Sequence, residues 1–207
     1  MKRGSDSTAR DLKREMWRSI RAAHPRFVEA VFADARLAAA CRGERFEFRS
    51  KADAAAQALR LMWVSDAFLA HTCYRAKARM QALGIPIVPR LAHRLAMLLA
   101  QVCIGDPVVM EPGVYIAHGQ VVIDGMVAID TGVVIFPWVT VGLRSGNFKG
   151  PTIGKRVSIG TGAKIIGPVT IGAGARIGAN AVVTGDVACD TTMVGAPARS
   201  VTDTQRQ

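Results

Sequence analysis

The sequence of 207 residues lacks features that several protein classes require. Aromatic residues make up only 6%, too few for surfaces on which nucleic-acid bases stack. The four cysteines are scattered without a CxxC pair, which predicts reduced thiols and no metal site. No apolar run is long enough to span a bilayer, and the charged N-terminus lacks the apolar core of a signal peptide. We therefore expect a cytoplasmic protein that binds neither metal nor membrane.

Acidic residues are scarce in the first half of the chain. The sequence holds 27 Lys and Arg against 16 Asp and Glu, a formal net charge of +11. Residues 1–105 contain 19 basic and 9 acidic side chains, so they carry +10 of that charge. The basic residues are spread along predicted helices and do not form one run, so we expect no nucleic-acid partner. A solvated face with some attraction for anions is the simpler interpretation.

A change of composition near residue 105 predicts two domains. The earlier part is rich in Ala, Arg and Leu and poor in Gly, which is typical of helices. The helices that the periodicity predicts cover residues 8–24, 25–41, 51–83 and 89–105. We therefore predict a helical domain over residues 1–104, a second domain over 105–200 and a short tail over 201–207.

Asp66 stands out in the third predicted helix. It falls on an apolar stripe, where a buried carboxylate without a partner would cost free energy. Two interpretations stay open at this point. Asp66 is either paired or exposed at the edge of the helix, or it faces a site that binds a polar ligand.

After residue 105 branched apolar residues recur every six positions. They are Ile123, Ile129, Ile135, Val141, Ile153, Ile159, Ile165, Ile171, Ile177 and Val183. This period matches neither the 3.6 of a helix nor the 2 of a single strand, but it fits short strands joined by tight corners. Stacked coils would bury the branched residues in one column, with three hexads in each turn of a parallel β-helix.

The repeat is interrupted once, over residues 143–151. From Val141 to Ile153 the chain uses two hexad lengths, and then the pattern returns in phase. We interpret this stretch as a loop that leaves the coil. Such excursions are common places for functional residues, although a tolerated surface insertion would look the same.

Several segments resemble the hexapeptide-repeat acyltransferases. The resemblance rests on the hexads, on residues 114–123 with their Ala-His pair, on the loop at 142–151 and on the Gly-Ala-Pro-Ala-Arg end of 194–199. The Cys-Tyr-Arg of residues 73–75 and the Leu-Gly-Ile-Pro of 83–86 are similar to the serine acetyltransferase branch.

The resemblance implies an α+β fold and an enzyme. The helical domain would precede a left-handed parallel β-helix, assembled as a homotrimer that in some members pairs into a dimer of trimers. The active sites would lie between neighbouring subunits. The implied reaction is an acetyl-CoA-dependent O-acetyl transfer to a small hydroxyl acceptor, with a place in cysteine biosynthesis.

His118 is the catalytic residue that the resemblance implies. It is the only histidine in the repeat half, and it lies where the hexad register slips by one residue. A neutral imidazole can remove the proton of an alcohol as the oxygen attacks the thioester directly, in a ternary complex. The residues that match the family's acetyl-CoA positions are Gly142, Thr161, Ala163, Arg176 and Ala179.

The acceptor is the least specified part of the resemblance. The family's Asp-His pair is Ala117-His118 here, and the second histidine of the loop is absent. Asp66 or Asp53 would bind the amine of L-serine, and Arg144 or Lys149 would bind its carboxylate. The alternatives are the hydroxyl of a sugar, a polysaccharide or a specialised metabolite, and, more distantly, a scaffold without catalysis. The brief tail lacks the family's terminal isoleucine, so we do not expect docking to cysteine synthase.

Overall fold

Helices form the first half of the chain, as the Ala-rich and Leu-rich sequence predicts. The computed structural model describes residues 3–201, with side chains from residue 10 onward. The helices are α1 (Arg3–Ala23), α2 (Phe27–Cys41), α3 (Lys51–Val64), α4 (Asp66–Ala82) and α5 (Val88–Ala100). No helix in this described part of the chain has the length and apolar character needed to cross a membrane.

The prediction of one helix over residues 51–83 is wrong, because the helix is interrupted at Ser65. Its backbone is extended, with φ −140° and ψ 105°. The Ser65 side chain accepts a hydrogen bond from the Phe68 N–H at 3.3 Å, which caps the start of α4. Asp66 is therefore the first residue of a new helix and not part of a continuous stripe. Leu59, which a continuous helix would place on that apolar stripe with Met62 and Leu69, is 66% exposed.

Short strands form the second half, and the first of them begins at Val102. They are β1 (Val102–Ile104), β2 (Val109–Met110), β3 (Tyr115–Ile116), β4 (Val121–Ile123), β5 (Met126–Ile129), β6 (Val134–Ile135), β7 (Thr140–Gly142), β8 (Lys149–Ile153), β9 (Ser158–Ile159), β10 (Lys164–Ile166), β11 (Thr170–Ile171), β12 (Arg176–Ile177), β13 (Val182–Val183), β14 (Thr192–Val194) and β15 (Arg199–Ser200). The predicted fourth helix is thus shorter than expected, since α5 ends at Ala100.

The strands pair into three sheets that wrap one coil. Sheet A has the order β1-β4-β7-β10-β13, sheet B the order β11-β8-β5-β2, and sheet C the order β15-β14-β12-β9-β6-β3. Neighbouring strands are parallel except β14 and β15. Each turn uses one strand of each sheet, which gives a parallel β-solenoid of about five turns. The predicted helical domain followed by a parallel β-helix of hexapeptide repeats is confirmed.

The hexad residues fill the interior of this coil. All ten predicted positions are at most 2% exposed. In sheet A, Ile123 aligns with Val141, Val141 with Ile165, and Ile165 with Val183. Burying each such side chain contributes roughly 1.5–3 kcal/mol, so every turn depends on its neighbours for a dry interior.

The excursion from the coil is shorter than predicted. Strand β7 ends at Gly142 and β8 begins at Lys149, so residues 143–148 form the loop. Residues 149–151 belong to β8, where Lys149 pairs with Met126 and the register shifts between Met126 and Ala128. Ile129 pairs with Ile153 and Val141 with Ile165, each 24 positions on, so the coil before and after the loop remains in phase, as the hexad spacing predicts.

A buried ion pair fixes the helices to the first turn of the coil. Asp34 of α2 accepts hydrogen bonds from Arg75 Nε at 2.9 Å and from the N–H groups of Gly113 and Val114 at 2.9 and 3.0 Å. Arg75 of α4 also donates to the carbonyl of Met110 at 2.5 Å. Because both charges are buried and fully bonded, α2, α4 and the coil hold one fixed arrangement.

His71 is buried beside this ion pair. Its Nε2 lies 3.6 Å from Asp34 Oδ2 and has no hydrogen-bond partner. Burial lowers the pKa of His71 from 6.5 to about 4, and the nearby Arg75 charge acts in the same direction. The imidazole is therefore neutral in the folded protein at neutral pH.

Candidate active site

His118 lies where the chain takes seven positions from one interior residue, Ile116, to the next, Ile123, one more than the turn below it takes from Ile135 to Val141. Ile104 pairs with Ile123, nineteen positions on, whereas Ile123 pairs with Val141, eighteen positions on. The extra residue falls in the corner of residues 117–120, between β3 and β4. His118 is exposed there, so the slip of register that the sequence shows turns this imidazole out of the coil.

The corner is pinned against the end of helix α5. The Gln120 N–H donates to the carbonyl of Ala100 at 2.8 Å. A Cβ on Gly119 would lie 1.9 Å from that same carbonyl oxygen, so only glycine allows the approach. Gln101 takes the left-handed conformation, with φ 53°, and ends α5 at this point. These contacts fix the backbone on both sides of His118.

His118 opens into a cleft between the helices and the coil. The cleft has a volume of about 400 Å³. Its lining residues are Arg42, Val64, Ser65, Asp66, Ala67, Leu98, Leu99, Ala100, Gln101, Ala117, His118, Gly119 and Gln120. The ionisable side chains among them are one guanidinium, one carboxylate and one imidazole, a set that suits a small acceptor carrying both charges.

A hydrophobic cluster beneath the cleft joins three of the segments that line it: the end of α2, the start of α4 and the corner that carries His118. The cluster joins Ala38 of α2, Phe68 of α4, and Tyr115 and Ala117 of the segment that carries His118. Each of these segments contributes a buried apolar side chain close in sequence to its own polar residue in the cleft. The relative positions of Arg42, Asp66 and His118 therefore follow from packing.

Asp53 does not line the cleft that contains His118. Its carboxylate accepts two hydrogen bonds from Arg45, at 2.7 and 2.8 Å, and one from the Arg49 N–H at 2.9 Å. The hydrogen bonds from Arg45 and then from Arg49 hold the pKa of Asp53 well below its usual range. Of the two carboxylates proposed for an acceptor amine, Asp66 shares the cleft with His118 and Asp53 does not.

Three of the residues that match acetyl-CoA positions lie below His118 on one edge of the coil. We call the corners between sheets C and A, residues 117–120, 136–139, 160–163 and 178–181, the His118 edge. Thr161 and Ala179 occupy successive corners of this edge, roughly 10 and 14 Å below His118. Ala163 also lies there but is fully buried, and its N–H and carbonyl are hydrogen-bonded to Gly160 and Thr140 within the coil. Arg176 begins β12 and is exposed on sheet C.

The remaining predicted site residues lie on a different edge. We call the corners between sheets A and B, residues 105–108, 124–125, 143–148 and 167–169, the loop edge. Arg144 belongs to this edge, next to Gly167, and Gly142 and Lys149 flank it. Sheet A, with strands roughly 10 Å long, separates the two edges. One chain therefore does not bring Arg144 or Lys149 into the His118 cleft.

Four polar residues of the cleft were not predicted from the sequence. They are Arg42, Ser65, Gln101 and Gln120, which line it together with His118. Arg42 follows α2 in a segment without a periodic pattern, and the two glutamines stand in corners whose approach depends on the tertiary fold. Among the described residues, no group of three His, Cys, Asp or Glu side chains comes together as a metal site.

Comparisons with known proteins agree with this fold. The family model "Bacterial transferase hexapeptide (six repeats)" matches residues 150–185. The serine acetyltransferase of Helicobacter pylori strain J99 is 37% identical over 134 residues, which cover 63% of this chain and 78% of that protein. That of Mycobacterium tuberculosis strain H37Rv is 33% identical over 169 residues, 80% of this chain and 74% of that one.

The fold also matches solved structures. The serine acetyltransferase of Brucella abortus superposes with a TM-score of 0.69 at 22% identity, covering 92% of this chain and 75% of that one. At this identity the match concerns the fold. A solenoid of hexapeptide repeats with an exposed histidine at a lengthened corner defines a hexapeptide-repeat acyltransferase. This chain belongs to the serine acetyltransferase family.

Proposed function

We propose that this protein transfers the acetyl group of acetyl-CoA to the hydroxyl of L-serine, with His118 as the general base. The observation that carries the proposal is the cleft that holds His118 and Asp66 together. The family relationship supports both the reaction and the substrates, since the relatives are named serine acetyltransferases. A role in cysteine biosynthesis, in the cytoplasm, follows from this reaction.

The reaction needs one proton transfer and no covalent enzyme intermediate. His118 takes the proton of the serine hydroxyl while that oxygen attacks the thioester carbonyl. The tetrahedral intermediate then collapses, the carbon–sulfur bond breaks, and the imidazolium returns the proton to the sulfur of CoA. General-base catalysis of this kind contributes roughly 10²–10⁴-fold to the rate. The negative oxygen of the intermediate requires an N–H donor, for which we propose the backbone of Gly142.

The two edges of the coil support a homotrimer. His118 and Gly142 lie on opposite sides of sheet A, so one chain alone does not supply both groups to one acetyl group. We propose that the His118 edge of each subunit faces the loop edge of its neighbour. Three such contacts close a ring. Sedimentation equilibrium at several concentrations tests this proposal, and a purely monomeric protein with full activity would contradict it.

Acetyl-CoA would lie in the groove between the His118 edge of one subunit and the loop edge of its neighbour. Thr161 and Ala179 supply small side chains on the His118 edge, whereas the predicted contact with Ala163 finds no exposed group. Arg176 is exposed on the same turn as Ala179 and would approach the phosphates of the nucleotide. Docking to cysteine synthase stays unexpected, although residues 202–207 of the tail lie outside the described residues.

One observation favours a second acceptor, a sugar hydroxyl. Trp138 lies on the His118 edge, one turn below His118, and is 57% exposed. An exposed aromatic ring beside a catalytic group is suited to packing against the face of a sugar. The loop also lacks the second histidine that the family uses for serine.

An acceptor panel distinguishes these candidates. The purified protein is incubated with acetyl-CoA and either L-serine, D-serine, N-acetylglucosamine or glucose, and free CoA thiol is measured over time. We expect L-serine to give the highest kcat/KM and D-serine to give little turnover. A sugar that exceeds L-serine would replace the acceptor, and no turnover with any alcohol would contradict the enzymatic assignment.

A further inference from the structure

We propose that Arg42 binds the carboxylate of the amino-acid acceptor, in place of the cations of the loop. The inference rests on the proposed function, since it assigns one more contact to the same acceptor. It assigns the two charges of the acceptor to two helical residues of one cleft: the ammonium group to Asp66 and the carboxylate to Arg42.

The backbone places Arg42 rigidly at the mouth of the cleft. Arg42 caps the C-terminal end of α2, and its N–H donates to the carbonyls of Ala38 and Ala39 at 3.1 and 3.2 Å. Ala38 belongs to the hydrophobic cluster beneath the cleft, together with Phe68 and Tyr115. The guanidinium therefore starts from a fixed backbone position.

One side chain holds the guanidinium and leaves part of it free. Arg42 Nε donates to Glu44 Oε1 at 2.9 Å. The Arg42 charge also acts on Tyr115, three residues before His118: burial raises the pKa of that phenol, and the Arg42 charge opposes the rise. A guanidinium has five N–H donors, so the bond to Glu44 leaves donors for a carboxylate.

The charge balance around Arg42 favours an anion. Glu44 is shared, because Arg60 Nη1 donates to its second oxygen, Oε2, at 2.6 Å. The hydrogen bonds from Arg60 and then from Arg42 lower the pKa of Glu44. Two guanidinium groups with one carboxylate leave an excess of one positive charge. Of these two guanidinium groups, only that of Arg42 lines the cleft.

The loop of the same chain does not supply a cation to the cleft. Arg144 and Lys149 lie at the loop edge, beyond sheet A from His118. Arg42 supplies a bidentate donor within the cleft that contains Asp66, whatever the arrangement of neighbouring subunits.

The test compares acceptors with and without a carboxylate. Steady-state kinetics are measured at saturating acetyl-CoA with L-serine and with L-serinamide, in which a neutral amide replaces the carboxylate. For the unsubstituted protein we expect kcat/KM to favour L-serine at least tenfold. Arg42→Gln should raise the KM for L-serine about 10–100-fold, as for loss of a charged hydrogen bond, and should leave L-serinamide nearly unchanged. Arg42→Lys keeps the charge but loses the two parallel N–H donors of the guanidinium. Its KM for L-serine should lie between those of the unsubstituted protein and Arg42→Gln.

Arg26→Gln is the matched control. It removes an exposed ion pair with Glu29 at the start of α2 without changing a residue of the cleft or a partner of Glu44, so the KM for L-serine should stay within about twofold. The KM for acetyl-CoA and the melting temperature of each variant verify that the fold is intact.

The outcomes separate this inference from the proposed function. If the unsubstituted protein acetylates L-serine but Arg42→Gln keeps its KM, the inference is wrong and the function stands. Equal losses for L-serine and L-serinamide would give Arg42 a structural role and would also overturn the inference. If the unsubstituted protein does not acetylate L-serine at all, both proposals fail together.

Discussion

The N–H of Gln120 donates a hydrogen bond of 2.8 Å to the carbonyl oxygen of Ala100. This contact joins the corner of the coil that carries His118 to the last turn of α5. The lengthened corner would otherwise be a free loop of four residues. Because one side of the corner is fixed by β3 and the other by Ala100, the backbone of His118 is held in place relative to the helices that line the cleft.

Gly119→Ala tests the importance of this contact. An added Cβ would meet the carbonyl oxygen of Ala100 at 1.9 Å, so the corner must move away from α5. We expect kcat/KM to fall at least tenfold, since a displacement of about 1 Å at a catalytic group has effects of this size or larger. Gly185→Ala is the control, because nothing lies within 4 Å of its added Cβ. Equal activity of the two variants would contradict the prediction.

Ser65→Ala tests the break between α3 and α4. The variant loses the cap on the Phe68 N–H and should lower the free energy of unfolding by about 1 kcal/mol in urea titrations. It should also raise the KM for L-serine severalfold, because Asp66 is the next residue. Ser50→Ala removes the equivalent cap of α3 and serves as control. The same KM in both variants would show that the cap does not position Asp66.

Arg75→Met tests the buried ion pair. The change leaves Asp34 buried among N–H groups without its cation, and breaking such a pair costs about 3–5 kcal/mol. Urea unfolding measures this loss. Arg45→Met removes an exposed pair with Asp53 and should change stability far less. A loss below about 1 kcal/mol for Arg75→Met would mean that apolar packing alone fixes the helices to the coil.

The free energy of unfolding should depend on pH through the histidines whose pKa is lowered by burial. The pKa of His71 is about 4 in the folded protein, against 6.5 ordinarily, because of burial; Asp34 and Arg75 are the charged groups that face it. Between these pH values the unfolded chain binds a proton that the folded chain does not. The free energy of unfolding therefore falls as the pH is lowered from 6.5 to 4, on the order of 3 kcal/mol from His71.

His71→Leu isolates this contribution. The variant should flatten the decline in stability between pH 6.5 and pH 4 when unfolding is followed by urea at several pH values. Part of the decline should remain, because burial also lowers the pKa of His24 to about 4. An unchanged slope in the variant would show that His71 is protonated in the folded state.

The coil could be predicted from the sequence because its period is local. Ile153, Ile159 and Ile165 follow one another at six residues, and each one stacks in the same way on the turn next to it. A repeated pattern of branched residues therefore specifies both the strands and the buried interior. The slip of register at His118 was visible in the sequence for the same reason.

The helical wall of the cleft could not be predicted in this way. Ser65 breaks a helix without a glycine or proline, between two segments that both favour helix. Arg42 reaches the cleft through packing of α2 on residues far along the chain. The ion pair of Asp34 with Arg75 joins positions 41 apart, and its bond to Val114 joins positions 80 apart. No pattern among residues that are neighbours in the sequence indicates contacts between positions so far apart.

Steady-state release of CoA by His118→Gln tests the central claim most directly. The side chain is exposed, so the variant should fold with an unchanged melting temperature and should keep the KM values for acetyl-CoA and L-serine within a few fold. We predict that kcat falls by roughly 10²–10⁴, because glutamine cannot accept the proton that the imidazole removes as the hydroxyl oxygen attacks. A variant that keeps the kcat of the unsubstituted protein would contradict the assignment of His118 as the general base.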